Sequence, residues 1–221
     1  MNSAATALFE SLSPTAGKIL ITAERLFALH GVDGVSLREI ARSAGQKNES
    51  ATRYHFGSRE ALLTTILRYR QQPVNVRRQQ LLDELLANGR QNDVRALLKV
   101  IVWPYAKLLK LDPEQSYYIS LVNQLYSRHD YFTAVDKEDV RPALLQAFSL
   151  LADTLTGIPE PQRAERIRWV GLQMNHVVAD WDYRRRNTPE EYPAESWGWR
   201  VDNLIDSLAG SLSAPCATST T

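Results

Sequence analysis

Six of the eight residues from Lys47 to Tyr54 carry the densest chemistry of the chain: Lys47, Asn48, Ser50, Ala51, Arg53 and Tyr54. A guanidinium such as Arg53 offers a planar fork of donors that fits the O6/N7 edge of guanine. A carboxamide such as Asn48 fits the N6/N7 edge of adenine, and a small apolar group such as Ala51 packs on a thymine methyl. Glu49 is the odd member, because a carboxylate repels phosphate; it accepts from a cytosine amine or faces away. Ser36, Ser58 and Arg59 stand where helices are expected to begin, and free N–H groups at such ends attract phosphate oxygens. Plain capping accounts for the same serines and does not compete with that role.

Such side chains need short, well-stopped helices to aim them. Ser36 followed by Glu39 forms a capping box, and Leu37, Ile40, Ala41 and Ala44 then recur at helical spacing. Gly45 ends that helix where a left-handed residue is required. Asn48 or Ser50 caps a second helix running to about Phe56, and Gly57-Ser58 opens a third with the stripe Ala61, Leu62 and Ile66. Two helices of about two turns each, joined by a tight glycine turn, have the dimensions of the DNA major groove, with the second as reader.

The block Ser36–Leu67 resembles the N-terminal DNA-binding domain of the tetracycline-repressor (TetR) family. The matching pieces are Ala44-Gly45, Tyr54-His55-Phe56 and Ser58-Arg59-Glu60-Ala61-Leu62. Upstream, Ile19, Ala23, Leu26 and Phe27 form a stripe ending at His30-Gly31, like the family's first helix. The resemblance covers roughly residues 15 to 68 and is only architectural beyond them. Two departures stand out: the stretch Gln46-Lys47-Asn48-Glu49 is about one residue longer than the commonest family turn, and Thr52 replaces a larger aliphatic residue.

The remainder reads as helix punctuated by proline and aspartate. Pro73 is expected to stop one helix; Leu81, Leu82, Leu85 and Leu86 share a face of the next. Asp93 caps a helix that contains Trp103-Pro104, where a kink is expected. Asp112-Pro113 is expected to open a helix through about Arg128, Arg141-Pro142 another, Pro161 a long one to about Arg186, and Ser196–Leu212 the last. The expected fold is therefore all-α: a three-helix helix-turn-helix DNA-binding domain followed by a helical bundle. The divisions are a flexible segment at 1–14, the DNA-binding domain at 15–70, the bundle at 73–212 and a disordered tail at 213–221.

The 221 residues are 44% hydrophobic with a formal net charge of +1, too neutral for a general nucleic-acid coating protein. Residues 1–72 hold nine Lys/Arg against six acids, so the head is mildly basic and the rest mildly acidic. No apolar run reaches the ~18 residues of a membrane span. The first eighteen residues make a poor signal peptide, and the lone Cys216 excludes an intramolecular disulfide, so a cytoplasmic protein is expected.

In the second half, Trp103, Tyr117, Tyr126 and Met174, with the polar Asn123, Gln124 and His176, are residue types that line a pocket between helices. Taken one at a time, each is more often core or interface packing. The family resemblance implies a small-molecule inducer pocket in this half. It also implies a homodimer through helices near Pro142–Thr156 and Pro161–Arg186, with Phe148, Leu151, Leu155, Trp169 and Leu172 on the seam. A dimer suits the physics as well, because two-fold symmetry doubles the contacts on a palindromic operator. His176 and Asp180 lie four apart, but the four histidines are scattered and no nucleophile motif or phosphate loop accompanies them. Neither catalysis nor a metal or other cofactor is expected. The function implied is a DNA-binding transcriptional regulator, a repressor released by its ligand. A regulator whose second half serves only dimerisation or a protein partner is the alternative.

Overall fold

The computed structural model describes residues 12–48, 50–127 and 141–216. Glu49, the expected flexible segment up to residue 11, the expected helix end at Arg128 and the tail at 217–221 lie outside the described residues. Among the described residues all regular structure is helical. They fall into two compact units, one drawn from Met1–Val76 with Leu109–Arg141, the other from Arg77–Leu108 with Pro142–Thr221.

The first unit begins with α1 (Pro14–His30), capped by Ser13 and closed by Gly31. Its stripe Ile19, Leu20, Ala23 and Phe27 is fully buried. Then come α2 (Leu37–Ser43), α3 (Ala51–Phe56) and the start of α4 (Arg59–Ala87), whose Leu62, Ile66 and Leu67 are also fully buried. Helix α1 packs against α2, α3 and α6 (Tyr118–Ser127). The anchor is polar. Glu24 of α1, 1% exposed, accepts from Nε (2.6 Å) and Nη2 (3.1 Å) of Arg70 on α4, and from the backbone N–H of Tyr117 (2.7 Å). Gln124 of α6 donates to the carbonyl of Ala28 at 2.6 Å, and Gln71 donates to the Tyr118 hydroxyl at 2.5 Å. A buried carboxylate is tolerable only when paired and hydrogen-bonded in this way.

Pro73 does not stop its helix; α4 runs through it. The proline is exposed while Val74 and Leu82 beside it are buried, and that packing outweighs the roughly 3 kcal/mol an interior proline costs. Asp112-Pro113 does not open a helix either. Asp112 instead accepts from the N–H of Glu114 through its side chain and of Gln115 through its carbonyl, closing a turn, and α6 starts at Tyr118. Local capping chemistry is the same for a turn and a helix, so the aspartate alone does not distinguish them.

The second unit holds α5 (Val94–Ala106), α7 (Pro142–Thr154), α8 (Gln162–Asn187) and α9 (Trp197–Ser213). Helix α5 packs against α7 and α9, and α8 against α7 and α9. Asp93 caps α5 through the N–H of Ala96 at 3.0 Å, as its sequence position predicts. Pro104 lies inside α5 and has no N–H for the carbonyl of Val100, four residues earlier. The guanidinium of Arg78, 1% exposed, serves that carbonyl instead (3.3 Å) and also that of Ile101 (3.2 Å).

Candidate nucleic-acid interface

Ser36 Oγ accepts from the N–H of Glu39 at 3.1 Å and starts α2. Gly45, at φ +71°, turns the chain, and the N–H groups of Gly45 and Gln46 return to the carbonyls of Arg42 and Ala41. The turn into α3 is built by Asn48, whose Oδ1 accepts from the backbone N–H of Ser50 (2.9 Å) and from its hydroxyl (2.7 Å). Of the two residues expected as cap, Asn48 makes the side-chain bonds; Ser50 holds the cap position without one. Thr52 points inward, fully buried, which fixes the rotation of α3 so that Arg53 and Tyr54 face outward. Tyr54 is 86% exposed and braced edge-on by the His55 ring, centroids 5.1 Å apart. Gly57, at φ +75°, ends α3, and Ser58 Oγ caps α4 through the N–H of Ala61 at 3.1 Å.

These elements enclose an open concavity of about 950 Å³ on the surface of the first unit. It gathers Arg53 and Arg59 from α3 and α4, and Ser36, Asn48, Ser50 and Ser58 from the turns that lead into α2, α3 and α4. Lys47, Ala51 and Tyr54 lie outside its lining; Lys47 and Tyr54 are exposed and Ala51 is half-buried. Arg59 is engaged already, with Nη1 donating to the carbonyls of Val32 (3.1 Å) and Asp33 (3.0 Å). Through that nitrogen it braces the loop before α2. Arg38, outside the residues the sequence singles out, is exposed and lines the concavity from α2. Its place two residues after the capping serine was the available signal. The carboxyl of Glu60 is held below the usual range by its own backbone N–H and then by the Ser58 hydroxyl, so it stays ionised at the start of α4. The lining sets Arg38, Arg53 and Arg59 against Asp33, Glu39 and Glu60, so its charge is balanced; the hydroxyls of Ser36, Ser50 and Ser58 and the carboxamide of Asn48 supply the donors and acceptors that phosphates and base edges pair with.

Residues 19–66 match the sequence model of the bacterial regulatory proteins of the tetR family. Residues 19–66 are thus a TetR-type DNA-binding domain. A transcriptional regulator from Rhodococcus sp. Rha1 is 22% identical to it, over 92% of this chain and 100% of the other, with a TM-score of 0.47. A TetR-family regulator from Streptomyces coelicolor A3 is 20% identical, over 90% and 95%, with a TM-score of 0.37. No curated protein matches the chain.

Outside the TetR-type domain the candidate residues divide. Tyr117, Asn123, Gln124 and Tyr126 belong to the first unit, Trp103, Met174 and His176 to the second. Gln124 is spent on the Ala28 carbonyl, Trp103 Nε1 donates to Asp202 at 3.3 Å, His176 is exposed and Met174 is buried. Tyr105 on α5 and Asn175 on α8 form a buried polar pair, the tyrosine hydroxyl donating to Oδ1 at 3.0 Å. Nothing in the local pattern pairs residues 70 positions apart. Of the seam candidates, Leu151 and Leu155 are buried within the chain itself. Phe148 and Leu172 are half-buried, and Trp169 is 45% exposed, with Leu145 of α7 at 38%. Among the described residues there is no group of three or more potential metal ligands and no helix long and apolar enough to cross a membrane.

Proposed function

We propose that this TetR-family regulator is a homodimeric repressor that reads a palindromic operator in double-stranded DNA. On this reading α3 of each subunit enters the major groove and a small-molecule ligand releases the complex. The observation that carries it is the exposed edge of α3 and its entry turn, where Asn48, Ser50 and Arg53 line one concavity between the capped starts of α2 and α4. In this role Arg53 contacts a base edge, and Asn48 orders the turn that presents Ser50 beside it. Lys47, Tyr54, Ser36 and Ser58 position the phosphates, and Ala51 meets a thymine methyl. A helix of six residues covers few base pairs, so a second copy related by two-fold symmetry supplies the rest. The exposed Trp169 and Leu145 offer apolar surface for that pairing on α7 and α8.

A ligand bound in the second half acts by favouring a state whose two reading helices are wrongly separated, and it needs only unequal affinity for the two states. The reading without an inducer draws support from Gln124 and His176, since one is committed to a backbone carbonyl and the other faces solvent. Selection of the purified full chain on random duplex DNA tests the proposal. An enriched palindrome is expected, bound less tightly by Arg53→Ala by ~1–3 kcal/mol if the contact is bidentate. Failure to enrich any sequence at low salt with folded protein refutes it.

A further inference from the structure

The turn into α3 fixes which way one hydrogen bond to DNA must run. The N–H of Ser50 is an obligate donor, so the Asn48 side-chain atom 2.9 Å from it is the carbonyl oxygen and not the amide nitrogen. That oxygen carries no hydrogen, so at 2.7 Å the Ser50 hydroxyl has to donate to it. The only proton of Ser50 Oγ is thereby committed inward. What remains for a partner across the concavity is a pair of lone pairs, and Ser50 lines that concavity beside Asn48 and Arg53.

We propose that Ser50 is a specificity-determining residue held by Asn48 as a pure acceptor, and that it reads the exocyclic amine of an adenine or cytosine in the major groove. The inference rests on the reading of α3 as the base-contacting helix. An unconstrained serine hydroxyl both donates and accepts, so it pairs with either class of base edge. With its proton held, it matches adenine N6 or cytosine N4 and opposes guanine O6 and thymine O4, which offer acceptors only. The same geometry removes Asn48 from bidentate adenine readout, because both lone pairs of its Oδ1 are in use and only its NH₂ is left to donate. Asn48 becomes a positioning residue acting through Ser50.

Every base pair carries one amine in its major groove, so a preferred sequence alone does not say which atom is read. The test is a cycle between protein and base, on the duplex that the wild-type chain selects. At each position the amine is deleted, using purine deoxyriboside for adenine and pyrimidin-2-one deoxyriboside for cytosine. In parallel duplexes the guanine O6 or thymine O4 is deleted. Affinities of the full-length wild type, Ser50→Ala, Asn48→Ala and Asn48→Asp are then compared at one salt concentration.

The expected result is one amine whose deletion costs the wild type about two- to tenfold, the range of a single neutral hydrogen bond. The cost disappears in Ser50→Ala. It persists in Asn48→Asp, which keeps the accepting oxygen; in Asn48→Ala, where the hydroxyl regains its proton, a guanine or thymine placed at that position becomes tolerated, because the serine can then donate to O6 or O4. Coupling of Ser50 to a carbonyl oxygen, coupling to no base atom, or discrimination against guanine and thymine at that position unchanged in Asn48→Ala each overturns the proposal. Absence of any selected duplex is a different failure, that of the DNA-reading assignment itself.

Discussion

Replacing Glu24 by alanine should unfold the anchor of the first unit. The carboxylate is 1% exposed and takes three donors: two from Arg70, whose side chain is 12% exposed, and the N–H of Tyr117. Without it a largely buried guanidinium loses its counter-charge, keeping only the Gln115 carbonyl at 2.9 Å among these partners, and the Tyr117 N–H loses its acceptor. Breaking a buried pair from one side costs about 3–5 kcal/mol. For a chain of this length each kcal/mol moves Tm by roughly 2–4 °C, so the expected fall is roughly 6–20 °C, followed by far-UV circular dichroism. The double variant Glu24→Met with Arg70→Met should be less destabilised than Glu24→Ala, since no lone charge is then left buried. A loss below about 1 kcal/mol in Glu24→Ala would refute the reasoning, because that is the scale of a solvent-screened surface bridge.

Three further outcomes follow from the same geometry. Gly45→Ala should cost about 1–2 kcal/mol in urea unfolding, purely from backbone, because φ is +71° and an added Cβ meets nothing within 4 Å. Asp93→Ala should remove the cap of α5 at about 1 kcal/mol. The Ala96 N–H holds the Asp93 carboxyl below the ordinary 3.8. The wild-type advantage is thus full above pH 3.8 and lost as pH falls through the lower folded value, which paired acid titrations of wild type and variant would record. Arg78→Met should destabilise by about 1.5–3 kcal/mol and do so less in a Pro104→Ala background, where a restored N–H serves the Val100 carbonyl. An equal loss in both backgrounds, measured by denaturant midpoint, would show that Arg78 does not compensate for the proline.

What could be read in advance was short-range. Ser36, Ser58 and Asp93 cap as their neighbours predict, Gly45 takes the left-handed conformation, and Pro142 stands first in α7. Each outcome depends on fewer than five consecutive residues. Pro73 differs from its expectation because burial of Val74 and Leu82, which a local proline signal does not carry, accompanies a helix that continues through it. The commitment of Arg59 to the Val32 and Asp33 carbonyls, and of Gln124 to Ala28, joins residues 26 to 96 positions apart; no periodicity encodes such pairs. Asn48 lies between the two cases. Its fitness for an Asx turn was visible, yet the same carboxamide suits adenine, and only the Ser50 distances decide how its oxygen is used.

The central claim is that α3 and the capped starts of α2 and α4 meet DNA. Hydrogen–deuterium exchange of the full chain, with and without its selected duplex, tests this most directly. The account predicts slowed exchange over residues 36–39, 50–57 and 58–61 at a salt concentration that permits specific binding, and its loss when salt releases the duplex. Protection confined to 77–108 and 142–216, with 36–61 unchanged, would contradict it.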